Sequence, residues 1–289
     1  MRAPSLKHFA LEKVRERAPG SLVHLPQGAV YVEESGPKKG EPVVLVHGIA
    51  ASTEVWKLLS PFLVEAGYRV ICFDLYGRGL SDRGRGRHSP ALFRAQLRGL
   101  LEALGVREPI HLVGLSMGGL VAADYAAHHP GAIRRVALIA PAGVPTYRPW
   151  WAQLVTRRGI GELLFVGAGR RIMPRLMGQS FASDAARREW VPRLLSTAAF
   201  SGYRRSLLSS MRHMPLDSAM GIFEAVGLQD YPVGVFWGAR DRVCPFANRN
   251  AVLQAIPRAQ VSTFASGGHA VHLDCPTAFH AALIRFLSS

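Results

Sequence analysis

Two kinds of hydrophobic run alternate along the chain. Short, almost wholly apolar stretches such as Val43-Val44-Leu45-Val46, Val70-Ile71-Cys72-Phe73, Ile110-His111-Leu112-Val113 and Val233-Gly234-Val235-Phe236-Trp237 have the length and β-branched content of strands buried on both faces. Similar strands are expected over 134–140 and 259–264, and an opening, antiparallel strand over 28–34 ahead of a Gly/Pro/Lys turn at 36–40. Longer stretches with apolar residues three or four apart predict helices over 53–66, 90–104, 117–127, 249–256 and 276–287. Alternation of this kind implies an α/β fold with a mostly parallel central sheet and helices on both faces.

The alternation stops at about Pro149 and resumes near Ala225. Between them no strand-like run occurs, only helical stretches broken by Gly and Pro. We read 149–225 as a helical cap inserted above a core formed by 1–148 and 226–289, with 1–27 an N-terminal extension. Trp150, Trp151, Met173 and Met177 are among the cap's apolar side chains. They are the candidates for lining a substrate pocket, because aromatic rings and pliable methionines suit flexible apolar chains.

Chemistry enters at Gly114-Leu115-Ser116-Met117-Gly118-Gly119, which joins the 110–113 strand to the 117–127 helix. Serine in G-x-S-x-G at such a joint is the nucleophile-elbow pattern. The serine is forced into a strained turn that exposes its hydroxyl. The glycines two residues to either side approach too closely for a side chain. Asp241 follows the 232–238 strand and His269 follows the 259–264 strand, so Ser116, Asp241 and His269 each stand just past a strand's carboxyl end. In those roles His269 takes the serine proton, while Asp241 fixes the histidine's tautomer and stabilises the imidazolium. Asp230, a competing acid, precedes its strand and belongs at the opposite edge of the sheet; His272, a competing base, opens the next element. Two backbone donors are needed to hold an oxyanion. The Met117 amide opens a helix, and the Ile49 amide lies in the loop His47-Gly48-Ile49-Ala50. His47 is expected to brace that loop rather than to react.

Taken together, His47-Gly48, Asp74-Leu75-Tyr76-Gly77-Arg78-Gly79-Leu80-Ser81, the elbow, Gly238-Ala239-Arg240-Asp241 and Gly268-His269 resemble the α/β-hydrolases. Within that family they are most similar to small bacterial carboxylesterases and monoacylglycerol-lipase-like enzymes. The cap stretch 200–208 is also similar to unassigned hydrolases of that group. The chain departs from the family pattern at Asp274, where glutamate is usual, and at Cys244 and Cys275. The resemblance implies a serine esterase working through an acyl-enzyme, without cofactor or metal, on an ester with an apolar acyl or alcohol part. Perhydrolysis or acyl transfer would use the same triad, and a non-catalytic binding protein on this fold is the remaining alternative. Ser116 excludes the aspartate-dependent dehalogenases and epoxide hydrolases. The absence of a Gly-Pro-Gly turn after His47-Gly48 and of Asn before the serine disfavours carbon–carbon bond hydrolysis.

At 289 residues and 48% hydrophobic content the chain can bury one large core. The net charge of +15 would suit nucleic acid, yet the arginines are scattered, and the densest group (Arg78, Arg83, Arg85, Arg87) lacks interleaved aromatics. A solvated basic surface is the expected account, and no nucleic-acid partner is implied. The cap contributes eleven arginines against five acids. Three cysteines do not make a disulfide framework and fit a reducing, cytoplasmic setting, although Cys244 and Cys275 could face each other at one end of the sheet. His128-His129 has no further ligands at metal spacing. The basic segment 5–15 either grazes a lipid surface or docks on its own protein.

Overall fold

The computed structural model describes residues 6–146, 154, 156–163 and 168–289; of residues 6–10 and 168–172 it describes the backbone alone. Eight strands, β1 (Ser21–Leu25), β2 (Gly28–Ser35), β3 (Pro42–Val46), β4 (Arg69–Phe73), β5 (Ile110–Leu115), β6 (Ile133–Ile139), β7 (Val233–Gly238) and β8 (Gln260–Phe264), form one sheet. Its order is β1-β2-β4-β3-β5-β6-β7-β8. The β1–β2 and β2–β4 pairs are antiparallel and the others parallel.

Side chains leave each strand on alternate faces, and the central strands are buried along their whole length. Val44 and Val46 pack toward α3 (Pro90–Ala103), α4 (Met117–His128), α8 (Met220–Gly227) and α9 (Asn248–Ala255) through Phe93, Leu120, Phe223 and Val252. Val43 and Leu45 pack toward α2 (Ser60–Glu65) and α11 (Pro276–Ser288) through Leu63 and Leu283. Because α4 carries Gly118, Gly119, Ala122, Ala123 and Ala126, all buried, it can lie very close to the sheet.

Between β6 and β7 every described element is helical: α5 (Ala168–Gly178), α6 (Asp184–Ala198) and α7 (Tyr203–His213), with α8 closing back onto the core. The expected substrate residues Trp150 and Trp151 lie outside the described residues. The chain also has α1 (Leu6–Arg17) and a short α10 (Val271–Asp274). Leu11 of α1 packs with Tyr31 and Leu80, and Arg15 bonds Asp82 and the Leu80 carbonyl. This segment therefore docks on its own protein.

Two expectations need correction. Within the segment read as the core's N-terminal extension, residues 21–25 form a strand the sequence pattern did not predict, β1, at the edge of the sheet. The helix expected over 53–66 is split into a 3₁₀ turn, Thr53–Trp56, and α2. Pro61, which lacks an N–H, is tolerated only in a first helical turn, so the helix restarts there.

The chain leaves β3 toward β4 on one side and returns to β5 on the other. The crevice at the carboxyl ends of β3 and β5 is the place where such sheets bind ligands. His47-Gly48-Ile49 follows β3 and Ser116 follows β5.

Candidate active site

Ser116 adopts φ 56° and ψ −120°, and it is one of two described non-glycine residues with positive φ. That conformation costs on the order of 1–3 kcal/mol and survives because the surroundings determine it. The Ser116 amide donates to the Ile139 carbonyl at 2.9 Å, and its carbonyl accepts from Ala142 and Leu120. A Cβ on Gly114 would lie 2.3 Å from the Gly118 carbonyl oxygen, and one on Gly118 would lie 2.2 Å from the Val46 oxygen. The elbow pattern thus requires glycine at both places.

Asp241 and His269 emerge from the loops after β7 and β8. His269 Nδ1 donates to Asp241 Oδ2 at 2.8 Å, with the carboxylate side chain wholly buried and the imidazole 7% exposed. Asp241 Oδ1 accepts from the Val243 and Cys244 amides at 2.8 and 2.9 Å. Both carboxylate oxygens are therefore occupied, and the bond to an acceptor-only carboxylate puts the proton on Nδ1 and leaves Nε2 as the free base. The loops pack as tightly as the elbow: a Cβ on Gly238 would lie 2.2 Å from the Gly268 oxygen. Cys244 brings this pair to the serine, since its amide holds Asp241 while its thiol meets the Ser116 side chain. No hydrogen bond links Ser116 Oγ to His269 among the described residues, a looseness common in unliganded sites.

Both expected competitors are placed elsewhere. Asp230 is fully exposed at the opposite edge of the sheet, 4.0 Å from Arg258. His272 is buried between Trp56 and Phe279, with ring centroids 4.9 and 5.9 Å away. Neither of its nitrogens has a partner at normal hydrogen-bond distance. Burial lowers its pKa to about 3, which the Val55 backbone offsets only in part. It is a neutral core ring.

Met117 is the first residue of α4, so its amide has no intrahelical acceptor. The other expected donor, Ile49, lies in a braced loop. His47 is fully buried; its Nε2 accepts the Leu75 amide at 3.0 Å, so Nδ1 carries the proton and donates to the Gly48 carbonyl at 2.8 Å. Burial holds its pKa down to about 3 despite the Gly48 bond. The neutral imidazole grips the same peptide unit whose N–H belongs to Ile49.

Other residues show roles that sequence reading missed. Asp74 Oδ1 and Oδ2 accept from the Thr53 and Leu80 amides, both at 2.7 Å, and a Cβ on Gly79 (φ 46°) would strike that carboxylate. Asp274 bonds Gly268 beside His269 and also the Ala182 and Ser183 amides ahead of α6. It ties the histidine loop to the cap. The basic cluster is not simply a solvated surface. Arg78 is fully buried, and Arg83 donates to the Ser201 carbonyl ahead of α7. Charge in a sequence reads as surface unless acceptors distant in the chain converge on it.

Cys72, Cys244 and Cys275 are all free. Cys72 is a buried core residue that contacts Ser60, while Cys275 contacts Ser266. Met173 and Met177 are both buried. Met177 packs in the core cluster with Phe181 and Trp190, whereas Met173 also lines a cleft of about 480 Å³ with Leu195, Phe200, Arg204 and Arg205. No group of residues suited to a metal ion occurs among the described residues, and no described helix is long and apolar enough to cross a membrane.

Comparison with known proteins gives the same fold. An uncharacterised protein of Mycobacterium tuberculosis is 27% identical, with 96% of this chain and 84% of that protein covered. A monoacylglycerol lipase of Xenopus laevis is 25% identical, covering 90% and 79%. The crystal structure of a bromoperoxidase from Bacillus anthracis superposes with a TM-score of 0.82 at 24% identity, over 93% of this chain and all of that one. The profile of the alpha/beta hydrolase fold matches residues 41–276, and the chain belongs to that family.

Proposed function

We propose that the protein is a serine hydrolase of carboxylic esters with an apolar acyl or alcohol part. The observation that carries this reading is the buried His269–Asp241 hydrogen bond in the loops after β7 and β8, at the same ends of the parallel strands as a backbone-strained Ser116. Ser116 Oγ attacks the ester carbonyl as His269 Nε2 takes its proton. Asp241 stabilises the imidazolium, and the Met117 and Ile49 amides receive the oxyanion. The imidazolium then protonates the departing alkoxide. Water, deprotonated by the same nitrogen, releases the acid from the acyl-enzyme. The likeness to a monoacylglycerol lipase supports an apolar acyl chain.

Hydrogen peroxide or an alcohol in place of water would give perhydrolysis or acyl transfer. The test is Ser116→Ala with a fluorophosphonate probe and p-nitrophenyl esters. The parent should be labelled, and the variant should keep its fold while losing labelling and turnover by on the order of 10⁴ or more. Equal labelling of both would overturn the reading.

A further inference from the structure

Three successive carbonyls in the loop after β3 are each bonded by a buried side chain. Gly48 O accepts from His47 Nδ1 at 2.8 Å, Ile49 O from Arg78 Nε at 2.8 Å, and Ala50 O from the Tyr203 hydroxyl at 3.0 Å. Only His47 is local. Tyr203 opens the cap helix α7, and Arg78 is bonded to the same helix through Nη2 and Ser210 Oγ at 2.7 Å. Arg78 Nη1 completes the set on the Tyr76 carbonyl.

We propose that α7, through Tyr203 and Arg78, holds the oxyanion loop in its catalytic geometry, making both side chains positioning residues for the oxyanion hole. The inference rests on the reading of the Ile49 amide as an oxyanion donor. In a peptide unit the C=O and N–H point in opposite directions, so a donor holding the oxygen on the far side aims the amide toward the site. His47 sets the unit carrying the Ile49 amide. Arg78 and Tyr203 set the next two, fixing the Ile49 and Ala50 torsions that would otherwise let the first unit swing.

The two cap-linked grips are chemically durable. Tyr203 is 1% exposed, and burial raises its pKa to about 12, so it remains a neutral donor. Arg78 is wholly buried, and its three bonds all go to neutral oxygens. Burial lowers its pKa to about 10, which still leaves a cation at neutral pH. With no carboxylate bonded to it among the described residues, its field persists in a low-dielectric region behind the loop, where it favours an oxyanion over a neutral carbonyl. A guanidinium serving only to dock the cap would be better placed against an acid.

Tyr203→Phe removes one hydroxyl and keeps the ring in its packing. Arg78→Lys keeps the charge and loses the fork. Ser209→Ala is the control: Ser209 lies on the same helix and bonds the His88 amide, away from the loop. Each is measured for kcat and KM on p-nitrophenyl butyrate, for fluorophosphonate labelling rate, and for inhibition by a trifluoromethyl ketone, which forms a tetrahedral oxyanion adduct. Because a whole oxyanion donor is worth on the order of 10²–10³ in kcat, a misaimed one should cost about tenfold. Tyr203→Phe should thus lower kcat, labelling rate and ketone affinity about tenfold, with KM within about twofold. Arg78→Lys should do the same or more, and Ser209→Ala should match the parent. Parental kcat in Tyr203→Phe, a loss confined to KM, or an equal loss in Ser209→Ala would overturn the proposal while leaving the serine mechanism standing. A parent that fluorophosphonate does not label would overturn both.

Discussion

The α-carbon of Gly118 faces the Val46 carbonyl so closely that a methyl group there would sit 2.2 Å from the oxygen. The contact joins the second glycine of the elbow to the end of β3, and so fixes the distance between Ser116 and the oxyanion loop. Gly118→Ala should destabilise the fold by about 3 kcal/mol, the upper end of what overpacking costs, and should reduce esterase activity in whatever still folds. Gly131→Ala, where an added Cβ meets nothing within 4 Å, should leave stability within about 0.5 kcal/mol. Denaturant titration of the pair checks this; equal stabilities would mean that the elbow has room to relax.

Asp241→Asn should leave KM nearly unchanged and lower kcat by roughly 10⁴, since an amide cannot hold the imidazole in the same tautomer or stabilise its cation. Asp230→Asn, at an exposed position beside Arg258, should alter kcat by less than about twofold, surface pairs being worth little. Steady-state kinetics on one ester with both variants separates the two acids. The reverse ranking would place the functional carboxylate at the wrong edge of the sheet.

How much of this was readable in the sequence depended on whether a residue's environment is local. Central strands such as 43–46 and 233–238 are apolar on both faces and announce themselves. Edge strand β1 has only exposed and half-buried positions and one neighbour, so Ser21-Leu22-Val23-His24-Leu25 carries no comparable signal. Ser116, Asp241 and His269 were legible because each stands just past a strand that could itself be recognised. Arg78 and Tyr203 were not. Their partners are 29 and 153 residues away, and only the docking of α7 reveals that an arginine in a basic run is buried. Asp274 was noticed as a departure from the family pattern, but its bonds to the cap amides depend on a contact spanning about ninety residues.

Acid should unfold the protein by way of its buried histidines. His272 has a folded pKa near 3 against an ordinary 6.5, so between those values the unfolded chain takes up a proton that the folded one refuses. Stability must then fall as pH drops through that window. His47 acts in the same direction. Asp74, raised by burial to about 6, acts the other way, losing stability as pH rises from about 4 to 6. In His272→Phe the ring contacts with Trp56 and Phe279 persist and the titration is removed. Its stability advantage over the parent should grow by about 1–2 kcal/mol between pH 6.5 and 5, given 1.36 kcal/mol per unit of linkage. Unfolding curves at the two pH values measure it, and parallel losses in both proteins would clear His272 of any part.

Cys244 meets Ser116, yet it should resist alkylation. Burial raises its pKa, and the neighbouring Asp241 charge raises it further, with the Ser116 contact opposing, so the reactive thiolate is scarce at neutral pH. Iodoacetamide at pH 7.5 should leave activity intact over an hour, and Cys244→Ala should keep kcat within about threefold. Rapid inactivation that Cys244→Ala abolishes would show instead an accessible, activated thiol beside the serine.

The cap cleft yields the last prediction. Met173, Leu195 and Phe200 give it an apolar wall, while Arg204 and Arg205 stand on its lining with no acid among them. If this cleft receives the acyl chain, each buried methylene should add roughly 0.8 kcal/mol to transition-state binding until the space is full. That is nearly a fourfold gain in kcat/KM per carbon, using 1.36 kcal/mol per tenfold. Specificity constants should therefore climb steeply from acetate through the short esters and then level or fall. Met173→Trp should move the turning point to shorter chains, because a larger side chain in the lining reduces the cleft's volume. The arginines act at longer range: they should raise kcat/KM for esters bearing a negative charge, and that advantage should shrink as salt reduces the screening length to about 10 Å at 0.1 M. Hydrolysis of p-nitrophenyl esters from acetate to decanoate, alongside an anionic succinate half-ester at low and high salt, tests both arms. A flat profile, the same in Met173→Trp and insensitive to salt, would mean that the chain binds elsewhere and that these cap side chains serve packing alone.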